Sequence, residues 1–164
     1  MLGTKARALI LVPLIVLAVV ASFLALGYLV TILFQIPSRL GLPLPIRLFG
    51  LLILLSGFVF LGWLFKYRRP RDILVSTYVT FSKAMSKAPL DGRSLRTETL
   101  VVDGPYRYVR HPLYSGVVIL LLGWSLLLDY SFLAVSTVLL LVWFNFVVAP
   151  FEEKELRAIF GEDY

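Results

Sequence analysis

The sequence contains no cysteine and a single histidine, His111. The first absence excludes a disulfide framework, a thiolate nucleophile and a cysteine-held metal or cluster. The second excludes a multi-histidine metal site within one chain, and no metal is expected. Charge is missing in another sense: four long stretches carry no Asp, Glu, Lys, Arg or His. Ion and proton carriers usually hold an ionisable group inside the membrane, so that class is disfavoured. What fills those stretches is apolar side chain, which makes up 59% of the 164 residues. A soluble domain of this length has too little interior to hide so much of it, and the bilayer removes the difficulty. Net charge is +6. In a membrane protein such an excess sets orientation and gives no reason to expect nucleic acid as a partner.

The uncharged stretches are 8–34, 48–65, 112–128 and 130–151. Backbone polar groups in lipid must be satisfied within the segment, so each should be helical. The fold class expected is an all-α integral membrane protein: one domain, 1–164, of about four transmembrane helices. The first stretch, 27 residues, would span roughly 40 Å as a helix and should tilt or protrude from a core of about 30 Å. Its apolar run is too long for a signal-peptide core, so it reads as a retained span. The last two spans form a tight hairpin turning at 129–131. The segment 66–111 holds ten Lys and Arg, against two in the loop 35–47. The positive-inside rule therefore puts 66–111 and both termini in the cytoplasm. Within that segment, 73–81 could lie in the interface or cap the bundle. Residues 82–99 read as an exposed loop, and 100–102 as a short apolar return. Asn145 is the clearest polar side chain within a span, and an interhelical hydrogen bond is favoured for it over a ligand contact. The compactness of the chain mildly favours a bacterial or archaeal plasma membrane.

The polar chemistry gathers at the membrane edge. In VVDGPYRYVRHPLYSG, residues 101–116, Gly104–Pro105 is a turn signal. Pro112 suits the first helical position, where its missing N–H costs nothing. The helix N-terminus there offers unpaired N–H groups and a positive dipole end, favourable to a carboxylate or phosphate. Arg107, Arg110, His111, Tyr106, Tyr108 and Tyr114 cluster around it. His111 shares a helical face with Tyr114 and Ser115. The final hairpin returns the chain to the same side, carrying Glu152, Glu153 and Glu155. Basic and aromatic groups would then meet carboxylates across a gap, forming a cytoplasmic pocket able to hold a zwitterion while a lipid approaches laterally. Interfacial Tyr, Arg and His also serve as plain membrane anchors, and composition alone leaves both readings open.

The string GPYRYVRHPLYSG, followed one hairpin later by FEEKEL and FGEDY, resembles the isoprenylcysteine carboxyl methyltransferase and phospholipid methyltransferase group. The resemblance covers residues 100–164. It implies a small membrane enzyme that uses S-adenosylmethionine to methylate a lipid-borne or apolar acceptor, such as a prenylcysteine-like carboxylate or a phospholipid amine. It implies cofactor binding by Tyr106, His111, Pro112, Leu113, Tyr114, Gly116, Glu152 and Glu153, with Gly104 and Pro105 matching the group's GPY. Within the site, the glutamates would take the nucleoside and His111 the methionine carboxylate. Tyr106 or Tyr114 would face the sulfonium. Arg110 and Arg107 would orient an anionic acceptor, and they are counted with Tyr114 as the catalytic set. Gly57 or Gly62 corresponds weakly to a glycine motif in an earlier helix. Group members often continue beyond FG-x-x-Y into a basic tail, whereas the sequence here reads to Tyr164. Two other functions compete: an NADPH-dependent sterol-type reductase, whose RHP-x-Y usually carries Asn before the Tyr, and a non-catalytic membrane scaffold of the same fold. Oligomeric state is open.

Overall fold

The computed structural model of the chain describes residues 4–75, 77–78 and 103–160. The reading of 73–81 falls partly outside them, and those of 82–99, 100–102 and the FGEDY end wholly or mainly. Helix α1 is Thr4–Leu33, α2 is Leu44–Tyr67, α3 is Pro112–Leu128 and α4 is Ser131–Trp143. One π-helical turn, Phe144–Val148, joins α4 to α5, Ala149–Phe160, without a break. A short 3-10 turn, Gly104–Arg107, precedes α3. No strand is found among the described residues. Three stretches are long and apolar enough to cross a bilayer: Leu9–Leu33, Leu44–Tyr67 and Ser131–Lys154. The apolar helix Pro112–Leu128 is shorter, at 17 residues. Large apolar side chains such as Leu17, Leu33, Leu52, Val59 and Phe146 point outward, as lipid-facing residues must when the solvent is hydrocarbon.

In space the order is α1, α4, α3, α2, since α1 packs on α4, α4 on α3, and α3 on α2. The α2–α3 seam is the most extensive. It is built on glycines seven residues apart in each helix, Gly50 and Gly57 of α2 and Gly116 and Gly123 of α3, each abutting the opposite helix. A Cβ on Gly123 would lie 2.6 Å from the backbone nitrogen of Leu54, and one on Gly50 2.7 Å from that of Leu127. Lipid offers no hydrophobic drive to press helices together, so small residues that let backbones approach supply the contact. Gly57 thus packs against Leu120, whereas Gly62 has nothing within 4 Å.

The turn at 129–131 closes with Asp129 in the left-handed region, φ 61°. The 35–43 connection wraps over it. Leu40 N–H donates to Asp129 O, Ser131 N–H to Ser38 O, and Leu42 N–H to the buried Asp129 carboxylate at 3.0 Å. The Arg39 guanidinium lies 5.1 Å from the Tyr130 ring centroid. At the opposite end, Gly104, φ 63°, abuts the Tyr67 ring, and Arg68 donates to the Tyr106 hydroxyl at 3.4 Å. The 3-10 turn is thereby fixed to the end of α2.

Candidate functional site

The site lies where α3 begins and α5 passes it. His111 is the residue before Pro112, and Pro112 starts α3 as expected. Its imidazole stands between two carboxylates: Nδ1 is 3.3 Å from Glu152 Oε2, and Nε2 is 3.4 Å from Glu153 Oε1. The Tyr114 hydroxyl donates to Glu152 Oε2 at 2.9 Å. Arg110 reaches Glu153 Oε1 at 3.5 Å, and Arg157 reaches Glu153 Oε2 at 3.8 Å. The Tyr114 ring lies nearly parallel to both His111 and Phe144, at centroid distances of 5.6 and 4.6 Å.

Beside this cluster is a cavity of about 360 Å³, within the range of small-molecule sites. From the α3 side it is lined by Val109, Arg110, His111, Tyr114, Ser115, Val118 and Ile119. From the other side come Leu141, Phe144, Asn145 and Ala149. Charge is confined to its mouth and the depth is apolar.

The π turn sets the facing of the glutamates. Ala149 N–H donates to Phe144 O, five residues back, and both residues line the cavity. One inserted residue turns everything beyond it by about 100° relative to an uninterrupted α-helix. That rotation brings Glu152 and Glu153 to face His111.

Hydrogen bonds and charge from Glu152, and then Glu153, raise the His111 pKa above its ordinary 6.5, although partial burial opposes them. Protonated His111 ties α5 to α3. This contribution is complete below pH 6.5 and fades as pH rises through the raised folded value. We expect the melting midpoint of the detergent-solubilised protein to fall between about pH 6 and about pH 9. A His111→Gln variant should lose that part of the slope, and an identical slope in the variant would refute the assignment.

The structure therefore brings Arg110, His111, Tyr114, Glu152 and Glu153 together. It leaves Tyr106 against Arg68, Arg107 exposed on the 3-10 turn, and Pro112, Leu113 and Gly116 outside the cavity. Pro112 is fully buried, and Gly116 meets Leu61 of α2. Both shape the helix packing. The side chain of Glu155 lies outside the described set. Asn145 departs from expectation: its Nδ2 donates to Leu141 O of its own helix at 2.8 Å, not across helices. Sequence reasoning placed Ser115 on the face of His111 but missed Phe144 as a lining residue. A signal for Phe144 existed, because Tyr114 and Phe144 each stand fifteen residues from Asp129. A tight antiparallel hairpin makes such positions neighbours.

Fold and site together define an all-helical membrane protein with a carboxylate-and-imidazole mouth on its final hairpin. The chain belongs to the phospholipid methyltransferase family, whose pattern matches residues 46–163. Two rice proteins, from the indica and japonica subspecies of Oryza sativa, are each called "Probable protein-S-isoprenylcysteine O-methyltransferase". Each is 38% identical to this chain over 65 residues. The matched region covers 40% of this chain and about a third, 34%, of the length of each relative. Rice relatives lend nothing to the prokaryotic membrane expected from compactness. No solved structure matches the chain.

Proposed function

We propose that this protein is an S-adenosylmethionine-dependent methyltransferase whose acceptor is lipid-borne. The observation that carries the reading is the meeting of Glu152 and Glu153 with Arg110, His111 and Tyr114 at the mouth of an apolar cavity. The residues fit the cofactor chemically. Its ammonium and ribose hydroxyls are donors suited to the two carboxylates. The parallel rings of Tyr114 and Phe144 provide a π surface for a sulfonium. Once bound, the cofactor supplies a methyl carbon whose bond to sulfur breaks, the electron pair staying on sulfur, as an acceptor lone pair bonds to that carbon. His111 holds the glutamates, since both of its ring nitrogens already face them, and this position suits it better than receiving the methionine carboxylate. Tyr114 orients Glu152 through its hydroxyl. Among the cavity-lining residues the charged groups, Arg110 and His111, are basic, which favours an anionic acceptor such as a prenylcysteine-like carboxylate over an ammonium. The apolar walls exclude water and accommodate the acceptor's chain.

The excess of Lys and Arg in 66–111 supports placing this mouth, and both termini, on the cytoplasmic side. Calorimetry of the protein in nanodiscs, with S-adenosylhomocysteine and NADPH in parallel, tests the reading. S-adenosylhomocysteine should bind and NADPH should not. The reverse would favour a reductase, and binding of neither would favour a scaffold.

A further inference from the structure

Four residues of the continuous C-terminal helix line the cavity, and of these Leu141, Phe144, Asn145 and Ala149 only Asn145 is polar. An amide offers two N–H donors and one oxygen acceptor. One donor is used on Leu141 O at 2.8 Å, which leaves a donor and the oxygen for another partner. A polar group in an apolar setting is costly unless bonded. Capping a carbonyl four residues back needs only a Ser or Thr hydroxyl. The amide is therefore larger than its intrahelical bond requires, and the residue that carries it is exposed and lines the cavity.

Its level is informative. Asn145 follows Phe144, whose ring stacks on Tyr114, and Tyr114 bonds Glu152. Leu141 lies one turn deeper, opposite Val118 and Ile119 in the cavity lining. Asn145 thus stands between the charged mouth and the apolar depth, where the polar end of an amphiphile and its chain would part.

We propose that Asn145 is a specificity-determining residue for the acceptor, binding its polar head through the free Nδ2 hydrogen and Oδ1 while the chain lies along Val118, Ile119 and Leu141. The inference rests on the methyltransferase reading above and adds to it a residue outside the RHP-x-Y and glutamate strings.

Asn145→Leu removes both functions of the amide. Asn145→Thr keeps a hydroxyl for Leu141 O and removes the reach into the cavity. Both variants and the wild type are assayed in nanodiscs for label transfer to S-farnesylated N-acetylcysteine and to phosphatidylethanolamine. S-adenosylhomocysteine affinity and melting midpoint are measured alongside. The expected result is an acceptor KM raised about ten-fold or more in both variants, as for loss of the two hydrogen bonds to the ligand. Cofactor affinity should be unchanged in both, with the Thr variant melting like wild type and kcat within about two-fold. A wild-type KM in Asn145→Thr would overturn the proposal and reduce Asn145 to a helix-capping residue. Failure of the wild type to bind S-adenosylhomocysteine, or to label either acceptor, would instead sink the methyltransferase reading, and this inference with it.

Discussion

Replacing Glu152 and Glu153 together with glutamine should abolish methyl transfer and reduce S-adenosylhomocysteine affinity below detection, while the bundle stays folded. Each carboxylate gathers several donors: Tyr114 and His111 on Glu152, and His111, Arg110 and Arg157 on Glu153. Hydrogen bonds to a charged group contribute about 1.5–3 kcal/mol, so each single substitution should weaken binding by about 10- to 100-fold. The fold should tolerate the change. The melting midpoint should fall by the part that the His111 pairs contribute, but the glutamates are partly solvated and the packing of α2 on α3 and of α1 on α4 is untouched. Isothermal calorimetry with a parallel thermal melt separates the two effects. If the double variant bound S-adenosylhomocysteine as tightly as wild type, the glutamates would not be the cofactor site.

Gly123→Leu should disrupt the protein more than any substitution on the lipid-facing surface. The new Cβ would sit 2.6 Å from the Leu54 backbone nitrogen, and no rotamer change moves a backbone atom. Helices α2 and α3 must separate, and overpacking of this kind costs about 1–3 kcal/mol, occasionally more. Because α3 carries His111 and Tyr114, cofactor binding should fall with stability. Gly62→Ala is the control. Nothing lies within 4 Å of its Cβ, and Ala gains about 0.5–1 kcal/mol over Gly within a helix. Denaturant titration in mixed micelles should order them as Gly62→Ala, wild type, Gly123→Leu. A Gly123→Leu variant as stable as wild type would show that the seam is looser than the backbone distances indicate.

The helices were legible because hydrocarbon allows little else: uncharged runs of spanning length must close their own hydrogen bonds. Pro112 and Asp129 gave the limits of α3 because one fits a helix start and the other ends the uncharged run. The meeting of His111 with Glu152 and Glu153 was legible as a shared end of the hairpin. Its facing was not. That depends on the π turn at Phe144–Val148, and no residue in FNFVV announces an i→i+5 bond, because one extra residue in an apolar helix leaves hydropathy unchanged. The contact of Gly116 with Leu61 across the seam was not legible, because it requires knowledge of which helix faces α3. The clasp of 35–43 over Asp129 also escaped notice, since backbone bonding between distant loops leaves no mark on composition.

Helix α3 has 17 residues and its neighbour α2 has 24. The shorter one rises about 26 Å, a few Å less than a hydrocarbon core of about 30 Å. The bilayer must thin around α3, or its ends must sink below the headgroups. In either case the Arg110–His111 mouth forms a dimple in the membrane surface, with the taller α2 as its rim. On the function proposed above, a water-soluble methyl donor would settle into that dimple from above and a membrane-anchored acceptor would enter at its own depth, so that the lipid need not climb out of its leaflet.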